Sequence, residues 1–154
     1  MSTNINDVPH VVIHTDGSYL TKKKSGGYCA VIDHDNYRQI EYGGEMHTTI
    51  SRMEVFAIVN SLSCLTRPCH VTIYSDSQYA VKSINQYIRN WENNGWMTKQ
   101  HKQVANIDLM QGLLFYMNFH VSIKAVWIKA HNGHPENELC DQYAKQGALE
   151  AFAG

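Results

Sequence analysis

The sequence predicts a single α/β domain in which helices pack on a five-stranded mixed sheet. The chain has 154 residues, the size of one domain with one hydrophobic core. Hydrophobic residues make up 44% and charged residues 18% of it, which is enough apolar material for that core and excludes intrinsic disorder. Short β-branched apolar runs alternate with longer segments of helical periodicity, as they do in α/β domains.

The first part of the chain predicts three strands. Residues 8–15 form a short, β-branched apolar run that ends at Asp16, and residues 22–27 follow as a loop. Residues 28–33 and 37–43 predict two further strands. The polar residues between these two are typical of the turn in an antiparallel hairpin.

The middle of the chain predicts a helix followed by a strand. Apolar residues recur at helical spacing over residues 51–65, and Pro68 lies just beyond the end. Residues 71–75 form the next apolar strand. Since a strand–helix–strand connection makes a right-handed crossover, this fourth strand is expected to run parallel to the first.

The last part of the chain predicts three helices and one strand. Residues 80–88 and 107–117 have helical spacing of their apolar positions, whereas residues 91–103 between them have no clean period. Residues 121–127 alternate between apolar and polar as a fifth strand. The last helix is expected to begin near Pro135, whose ring suits the first helical position.

Charge and cysteine usage exclude several classes of protein. Thirteen basic and fourteen acidic residues give a formal charge of −1, so the chain lacks the positive field of a non-specific DNA-coating protein. Residues 1–7 are expected to form a polar tail before a domain of residues 8–154, with no signal peptide and no membrane span. The four cysteines show no Cys-x-x-Cys pair and are expected to be free thiols. We therefore expect a soluble, cytoplasmic monomer.

Two aspartates stand where the parallel strands are predicted to end. Asp16 closes the first strand in Thr-Asp-Gly-Ser, and Asp76 closes the fourth in Ser-Asp-Ser-Gln. Ligands of open α/β sheets bind outside such strand ends, and two facing carboxylates stay ionised only beside a cation, so a divalent metal ion fits this pair. The alternative is that each aspartate only ends its strand. Asp-Gly is a turn signal, and Asp76 with Ser77 can cap the next helix.

Glu54 and Asp141 are further candidates, and each has a structural alternative. Glu54 lies at the margin of the apolar stripe of its helix, but with Ser51 it also matches a capping box, in which the glutamate turns back to the helix start. Asp141 shares a helix face with Ala144 and Ala148, and these small residues allow the helix to approach the sheet closely. The alternative for Asp141 is a solvated helix face.

Taken together, these segments resemble bacterial type 1 ribonuclease H. The resemblance extends from about residue 8 to residue 148, and several motifs in the right order on the right predicted elements make a chance match improbable. The motifs are Asp16 in Thr-Asp-Gly-Ser, Glu54 in Arg-Met-Glu, Asp76 in Ser-Asp-Ser-Gln-Tyr, and Trp-Ile-Lys-Ala-His-Asn-Gly-His-Pro-Glu-Asn-Glu from Trp127, followed by Asp141.

The resemblance implies a ribonuclease H-like domain that cuts the RNA strand of RNA/DNA hybrids and leaves 5′-phosphate and 3′-hydroxyl ends. It implies that the metal-binding carboxylates are Asp16, Glu54, Asp76 and Asp141. Carboxylate oxygens suit magnesium, a hard cation that keeps several waters. Two ions about 3.5–4 Å apart can activate the attacking water and stabilise the leaving oxygen. The expected cofactors are therefore two Mg²⁺ ions, with Mn²⁺ as an alternative.

His131 matches the loop histidine that assists proton transfer or product release in this family. Histidine titrates near neutral pH and can do either task, and Asn132 and Gly133 predict a flexible loop around it. The alternatives are an ordinary loop histidine, or a zinc site formed with His134 and Cys140. A structural zinc site needs four ligands, and the nearby sequence offers no obvious fourth.

The basic handle of the family corresponds here to residues 91–103. Trp91 and Trp96 are present, but the usual lysines between them are not. The tryptophans either contact a nucleic-acid sugar or hold the insertion together. Fewer cations release fewer counterions, so we expect weaker, less salt-dependent binding than in a basic relative. A separate basic group is expected close to Asp16, where it either reaches a phosphate or is solvated: Lys22, Lys23 and Lys24.

The resemblance implies two more contacts to the hybrid and leaves two positions unmatched. Thr49 matches a threonine that contacts a DNA phosphate, and Gln78 matches a residue near the minor groove. Ile50 and Ser51 stand where relatives commonly have asparagines that touch the bases and the 2′-hydroxyl side. This departure weakens the expectation of strict hybrid selectivity.

Three functions are therefore compared. The first is a magnesium-dependent nuclease acting on RNA/DNA hybrids. The second is a related nuclease of the same fold with relaxed or different duplex specificity, because a fold does not fix a substrate. The third is a non-catalytic nucleic-acid-binding module, which the complete set of carboxylates disfavours.

Overall fold

The computed structural model describes residues 7–153 and has, within them, a five-stranded mixed sheet. Its strands are β1 (His10–Leu20), β2 (Ser25–His34), β3 (Tyr37–Met46), β4 (His70–Ser75) and β5 (Ser122–Trp127). They lie in the order β3-β2-β1-β4-β5. β2 pairs antiparallel with β3, and β1 pairs parallel with β4, so both the predicted hairpin and the predicted crossover are confirmed. Residues 1–6 of the predicted tail lie outside the described residues.

Helices cover both faces of the sheet. The helices are α1 (Ile50–Ser63), α2 (Gln78–Lys82), α3 (Ile88–Asn93), α4 (Ile107–Phe119) and α5 (Pro135–Ala153), and a π-helical turn (Ser83–Tyr87) joins α2 to α3. Along β2, Ala30 and Ile32 belong to the larger core beneath α1 and α4, whereas Cys29 and Val31 pack with Cys140 of α5. Successive residues of a strand point to opposite faces, so this alternation places α1 and α5 on opposite sides. Within residues 7–153, no helix is both long and apolar enough to span a membrane.

The first strand is longer than its apolar run predicts. β1 continues through Asp16 to Leu20, and β2 begins at Ser25, so the prediction of a strand ending at Asp16 and a loop over residues 22–27 is wrong. The antiparallel pairing with β2 persists to the pair Leu20–Ser25, whereas the parallel pairing of β1 with β4 stops at His14–Tyr74. Asp16 therefore lies just beyond the parallel part of the sheet rather than at the end of its strand.

Glycines allow α5 to approach the sheet closely. A β-carbon on Gly27 of β2 would overlap the backbone of Ala144, and one on Gly44 of β3 would overlap the carbonyl of Gly147. Ala144 and Ala148 are fully buried on this face of α5. The predicted role of small residues in letting this helix lie against the sheet is confirmed.

The insertion at residues 91–103 comprises the end of α3 and the compact loop that follows it. The backbone N–H of Trp96 donates to the carbonyl of Trp91 at 2.7 Å, and Met97 bridges to Gln103. Both tryptophans are half-buried and pack against the core. Of the two interpretations of Trp91 and Trp96, holding the insertion together is the one that these contacts support.

Candidate active site

Three predicted site residues come together at one end of the sheet. Asp16, Glu54 and Asp76 each have a carboxylate oxygen that lies within 4.8 Å of the others. They come from β1, from α1 and from the residue that follows β4. The site is therefore assembled from three separate stretches of the chain.

The backbone fixes Asp76 at the end of β4. The indole N–H of Trp127 donates to the carbonyl oxygen of Asp76 at 3.0 Å. Ser77 caps α2 through its hydroxyl, which accepts a hydrogen bond from the backbone N–H of Ala80 at 3.1 Å. Because Ser77 provides this cap, the carboxylate of Asp76 is available for the cluster. Sequence reasoning missed this role of Trp127, whose alternating pattern marked it only as a strand residue.

Glu54 reaches the cluster because a different residue caps α1. The hydroxyl of Thr49 accepts a hydrogen bond from the backbone N–H of Arg52 at 3.1 Å, so α1 begins two residues earlier than a capping box at Ser51 requires. The capping-box alternative for Glu54 is therefore wrong. Its side chain is 7% exposed.

Gly17 makes the meeting of α1 and β1 possible. A β-carbon at Gly17 would lie 2.9 Å from the backbone nitrogen of Glu54 and 3.1 Å from its carboxyl carbon. Paired residues of adjacent strands point to the same face, so Asp16, paired with Cys29, points to the face covered by α5. Glu54 comes from the opposite face. The missing side chain of Gly17 lets the two carboxylates approach each other around the end of the sheet.

The electrostatics of the cluster favour a compensating proton or cation. Burial and the neighbouring charge of Asp76 raise the pKa of Asp16 to about 8. Burial and the charges of Asp16 and Asp76 raise the pKa of Glu54 well above its ordinary value. Oε2 of Glu54 is buried without a hydrogen-bond partner. Crowded, partly unsatisfied carboxylate oxygens are the environment that a divalent cation stabilises, so these residues fit a bound metal.

Asp141 lies beside the cluster rather than in it. Its carboxylate is 20% exposed, and Oδ2 lies 3.0 Å from Nζ of Lys145 on the next turn of α5. The charge of Asp141 contributes to the raised pKa values of Asp16 and Asp76, which places it in their electrostatic neighbourhood. The alternative of a solvated helix face is therefore incomplete. Lys145 is a further residue that sequence reasoning did not single out, although its spacing of four from Asp141 was visible.

His131 lies on the loop before α5. Its side chain is 66% exposed, and Nδ1 lies 3.4 Å from Oε1 of Glu138. Burial raises the pKa of Asp76, and a positive charge on His131 opposes this shift, which places the loop near the cluster. Among residues 7–153, the group Asp16–Glu54–Asp76 is the one that has metal-binding geometry. The zinc alternative fails because the thiol of Cys140 is buried and donates to the carbonyl of His14 at 3.1 Å.

The candidate contacts to nucleic acid surround this site at different distances. Thr49 and Gln78 are exposed near Glu54 and Asp76 in the chain. The exposed turn Lys22–Lys24 lies beyond Leu20, roughly 13 Å further along β1 than Asp16, so the expectation that these lysines stand close to Asp16 is wrong. Nζ of Lys23 instead lies 3.9 Å from the ring centroid of Phe152 near the end of α5.

The fold and the acidic cluster define a class of protein: α/β enzymes whose carboxylates hold divalent cations at the end of a mixed sheet. A family model described as RNase H matches residues 9–149. The chain belongs to the ribonuclease H family, as its motifs predict.

Relatives from two bacterial groups support this membership. A "Ribonuclease H" of Rhodopseudomonas palustris (strain TIE-1) is 44% identical over 144 residues, which cover 94% of this chain and 92% of the relative. A "Ribonuclease H" of Yersinia enterocolitica serotype O:8 / biotype 1B is 44% identical over 138 residues, which cover 90% and 89% respectively. These matches agree with the predicted bacterial type 1 form of the enzyme.

Two solved structures share the fold. The crystal structure of LC9-RNase H1, a type 1 RNase H with the type 2 active-site motif, has a TM-score of 0.83 and 22% identity, and covers 97% of this chain and 76% of that chain. The foamy viral protease-reverse transcriptase in complex with RNA/DNA hybrid has a TM-score of 0.74 and 18% identity, covering 91% of this chain and 20% of that chain. At these identities the likeness concerns the fold alone.

Proposed function

We propose that this chain is an endonuclease that hydrolyses the RNA strand of RNA/DNA hybrids with Mg²⁺ bound by four carboxylates. The observation that carries the proposal is the convergence of Asp16, Glu54 and Asp76 in a chain of the ribonuclease H family. Bound divalent cations would supply an activated water for attack on the scissile phosphate and stabilisation of the leaving oxygen. The expected products carry 5′-phosphate and 3′-hydroxyl ends.

The residues of the chain have distinct tasks in this proposal. Asp16 and Asp76 are fixed by the sheet and point their carboxylates at one position, while Glu54 reaches them around Gly17. Asp141, beside them on α5, completes the set of metal ligands. Rigid elements hold these side chains, which favours a reaction that depends on alignment.

His131 is proposed to transfer a proton or to assist product release. Its ring is exposed and lies on a loop with positive φ angles at His131 and Gly133, so it is free to approach a bound phosphate. The imidazole of a histidine can both accept and donate a proton. Because Glu138 lies within 3.4 Å of Nδ1, Nε2 is the atom left facing away from α5 for that exchange.

Contacts to the hybrid are proposed around this centre. Thr49 is placed to meet a phosphate of the DNA strand and Gln78 to meet the minor groove, while the exposed edges of Trp91 and Trp96 meet sugars further along the duplex. The turn Lys22–Lys24 adds positive charge beyond the carboxyl end of β1.

We also propose that the protein acts as a cytoplasmic monomer without membrane attachment. A reducing compartment is supported by its thiols, since four cysteines within residues 7–153 are free: Cys29, Cys64, Cys69 and Cys140.

A related nuclease with relaxed duplex specificity is the second candidate. Ile50 and Ser51 are exposed at the start of α1 and carry no amide side chain for reading a base edge or a 2′-hydroxyl. If these positions decide selectivity, the chain cuts other duplexes as well as hybrids.

The test uses RNA/DNA, RNA/RNA and DNA/DNA duplexes of one sequence with Mg²⁺, with Mn²⁺ and with EDTA. Cleavage of the hybrid alone in Mg²⁺ supports the proposal, and equal cleavage of duplex DNA supports the second candidate. The Asp16→Asn variant is expected to lose cleavage while its affinity for the hybrid stays within a few fold, because the change removes charge at the metal and no phosphate contact. Binding without cleavage by the unmodified chain would leave only a nucleic-acid-binding module.

A further inference from the structure

Asp141 differs from the other three carboxylates because it already has a cation from the chain itself. Its Oδ2 lies 3.0 Å from Nζ of Lys145. Asp16, Glu54 and Asp76 share no salt bridge with a basic side chain within the described residues. The site is therefore asymmetric. Three carboxylates have no cationic side chain beside them within the described residues, whereas the fourth, Asp141, is paired with Lys145.

The backbone of α5 cannot move to separate Asp141 from Lys145, whereas the lysine side chain can. α5 is held against the sheet by the contacts of Gly27 with Ala144 and of Gly44 with Gly147, so the position of Asp141 is fixed. The Lys145 side chain is 59% exposed. A long, solvated lysine can turn its ammonium group into water at small cost, because an exposed ion pair contributes little.

We propose that Lys145 is a built-in counter-ion of Asp141 that competes with a divalent cation and thereby weakens the cation-binding step in which Asp141 takes part. This inference rests on the proposed function, in which Asp141 is a metal ligand. A single positive charge beside a carboxylate repels an arriving cation and also occupies one of its oxygens. Lys145 must leave Asp141 before that oxygen can bind metal.

The experiment measures binding of Mg²⁺ and of Mn²⁺ to the substrate-free protein by isothermal titration calorimetry. Lys145→Gln is expected to tighten the weaker cation-binding step about threefold to tenfold, or to make a second step detectable where the unmodified chain shows one. Lys145→Arg retains the positive charge at this position and is expected to bind cations as the unmodified chain does. The concentration of Mg²⁺ giving half-maximal hybrid cleavage should fall in parallel with Lys145→Gln.

Two controls separate the contact from net charge. Exchanging the neighbours, Lys145→Gln together with Gln146→Lys, preserves the net charge but turns the lysine about 100° around the helix, away from Asp141. This exchange is expected to tighten cation binding as Lys145→Gln does. Lys124 of β5 pairs with Thr72 of β4, which precedes Asp76 by four residues. Lys124→Gln is expected to leave cation binding unchanged.

The results distinguish a failure of the proposed function from a failure of the counter-ion role of Lys145. If the unmodified chain binds no divalent cation, the proposed function fails. If it binds cations and Lys145→Gln changes neither binding step, only the counter-ion role of Lys145 is overturned. A tightening by Lys145→Gln that the exchange with Gln146 reverses would also overturn it, since net charge rather than the contact with Asp141 would then be the cause.

Discussion

Replacing Asp16 by asparagine is expected to stabilise the cation-free fold at alkaline pH. Burial and the charge of Asp76 raise the pKa of Asp16 from 3.8 to about 8. An acid whose pKa is higher in the folded state than in the unfolded state favours folding while protonated and opposes it once ionised. This opposition begins as the pH rises through 3.8 and is complete above about 8. Asparagine resembles the protonated acid at every pH.

The size of this effect follows from the two pKa values. At about 1.36 kcal/mol for each pH unit between them, the ionised side chain destabilises the fold by roughly 6 kcal/mol. In part of the molecules Asp76 holds a proton, and this reduces its repulsion with Asp16. Asp16→Asn is therefore expected to raise the free energy of unfolding by about 3 kcal/mol at pH 8.5. Near pH 4.5 the folded unmodified chain and the folded variant are both largely neutral at residue 16. Their difference in the free energy of unfolding should therefore fall below about 1 kcal/mol.

The assay is urea denaturation followed by circular dichroism, in EDTA, at pH 8.5 and pH 4.5. Added Mg²⁺ should narrow the difference at pH 8.5, because it stabilises the unmodified chain more than the variant. Asp108→Asn is a control of opposite sign, since Arg52 lowers the pKa of Asp108 by hydrogen bonding. That variant should be less stable than the unmodified chain at both pH 8.5 and pH 4.5, because both lie above the ordinary carboxyl pKa of 3.8. An Asp16→Asn variant no more stable than the unmodified chain at pH 8.5 would refute the cluster's electrostatics.

Three other changes test separate parts of the structure. His131→Ala should lower kcat for hybrid cleavage by about 10- to 100-fold, measured at saturating substrate, and a loss as complete as that in Asp16→Asn would contradict an assisting role. Gly27→Ala should destabilise the fold by about 3 kcal/mol in urea denaturation, because its methyl group overlaps the backbone of Ala144, and an unchanged midpoint would contradict the close approach of α5. Replacing Lys22–Lys24 by glutamine should lower the slope of log affinity against log salt by about one for each phosphate that these lysines neutralise, and an equal slope would exclude them from the interface.

Local sequence patterns predicted two of the strand pairings. The hairpin of β2 and β3, the parallel pairing of β1 with β4 and the start of α5 at Pro135 all follow from turn residues and apolar periodicity. The same patterns did not predict the bounds of β1 and β2 correctly. Lysines followed by serine and glycines are typical of a loop, but Gly26 and Gly27 pair with β1 and β3 in the sheet, at positions where α1 and α5 leave no room for a side chain. That requirement arises from contacts between distant segments, which no local pattern contains.

The site was predictable to the extent that it depends on strand topology. Asp16 and Asp76 follow from the rule that parallel strands end at one edge, and the structure places them together. Glu54 was ambiguous because two residues, Thr49 and Ser51, were available to cap α1, and the hydrogen bond that shows Thr49 to be the cap is visible only in the structure. The pairing of Asp141 with Lys145 depends on rotamers, which a sequence does not specify.

The acidic cluster lowers the stability of the fold around it when no cation is bound. Asp16 and Glu54 are almost completely buried, and in the absence of cations their charges oppose folding. A loose scaffold would move these carboxylates apart and relieve the repulsion. Here β1 is paired on both sides and Glu54 packs directly on Gly17, so separation would require breaking the sheet or lifting α1. Rigid packing therefore converts the repulsion between the carboxylates into affinity for a divalent cation, which is why mutations that loosen α1 or α5 should weaken cation binding even where they touch no carboxylate.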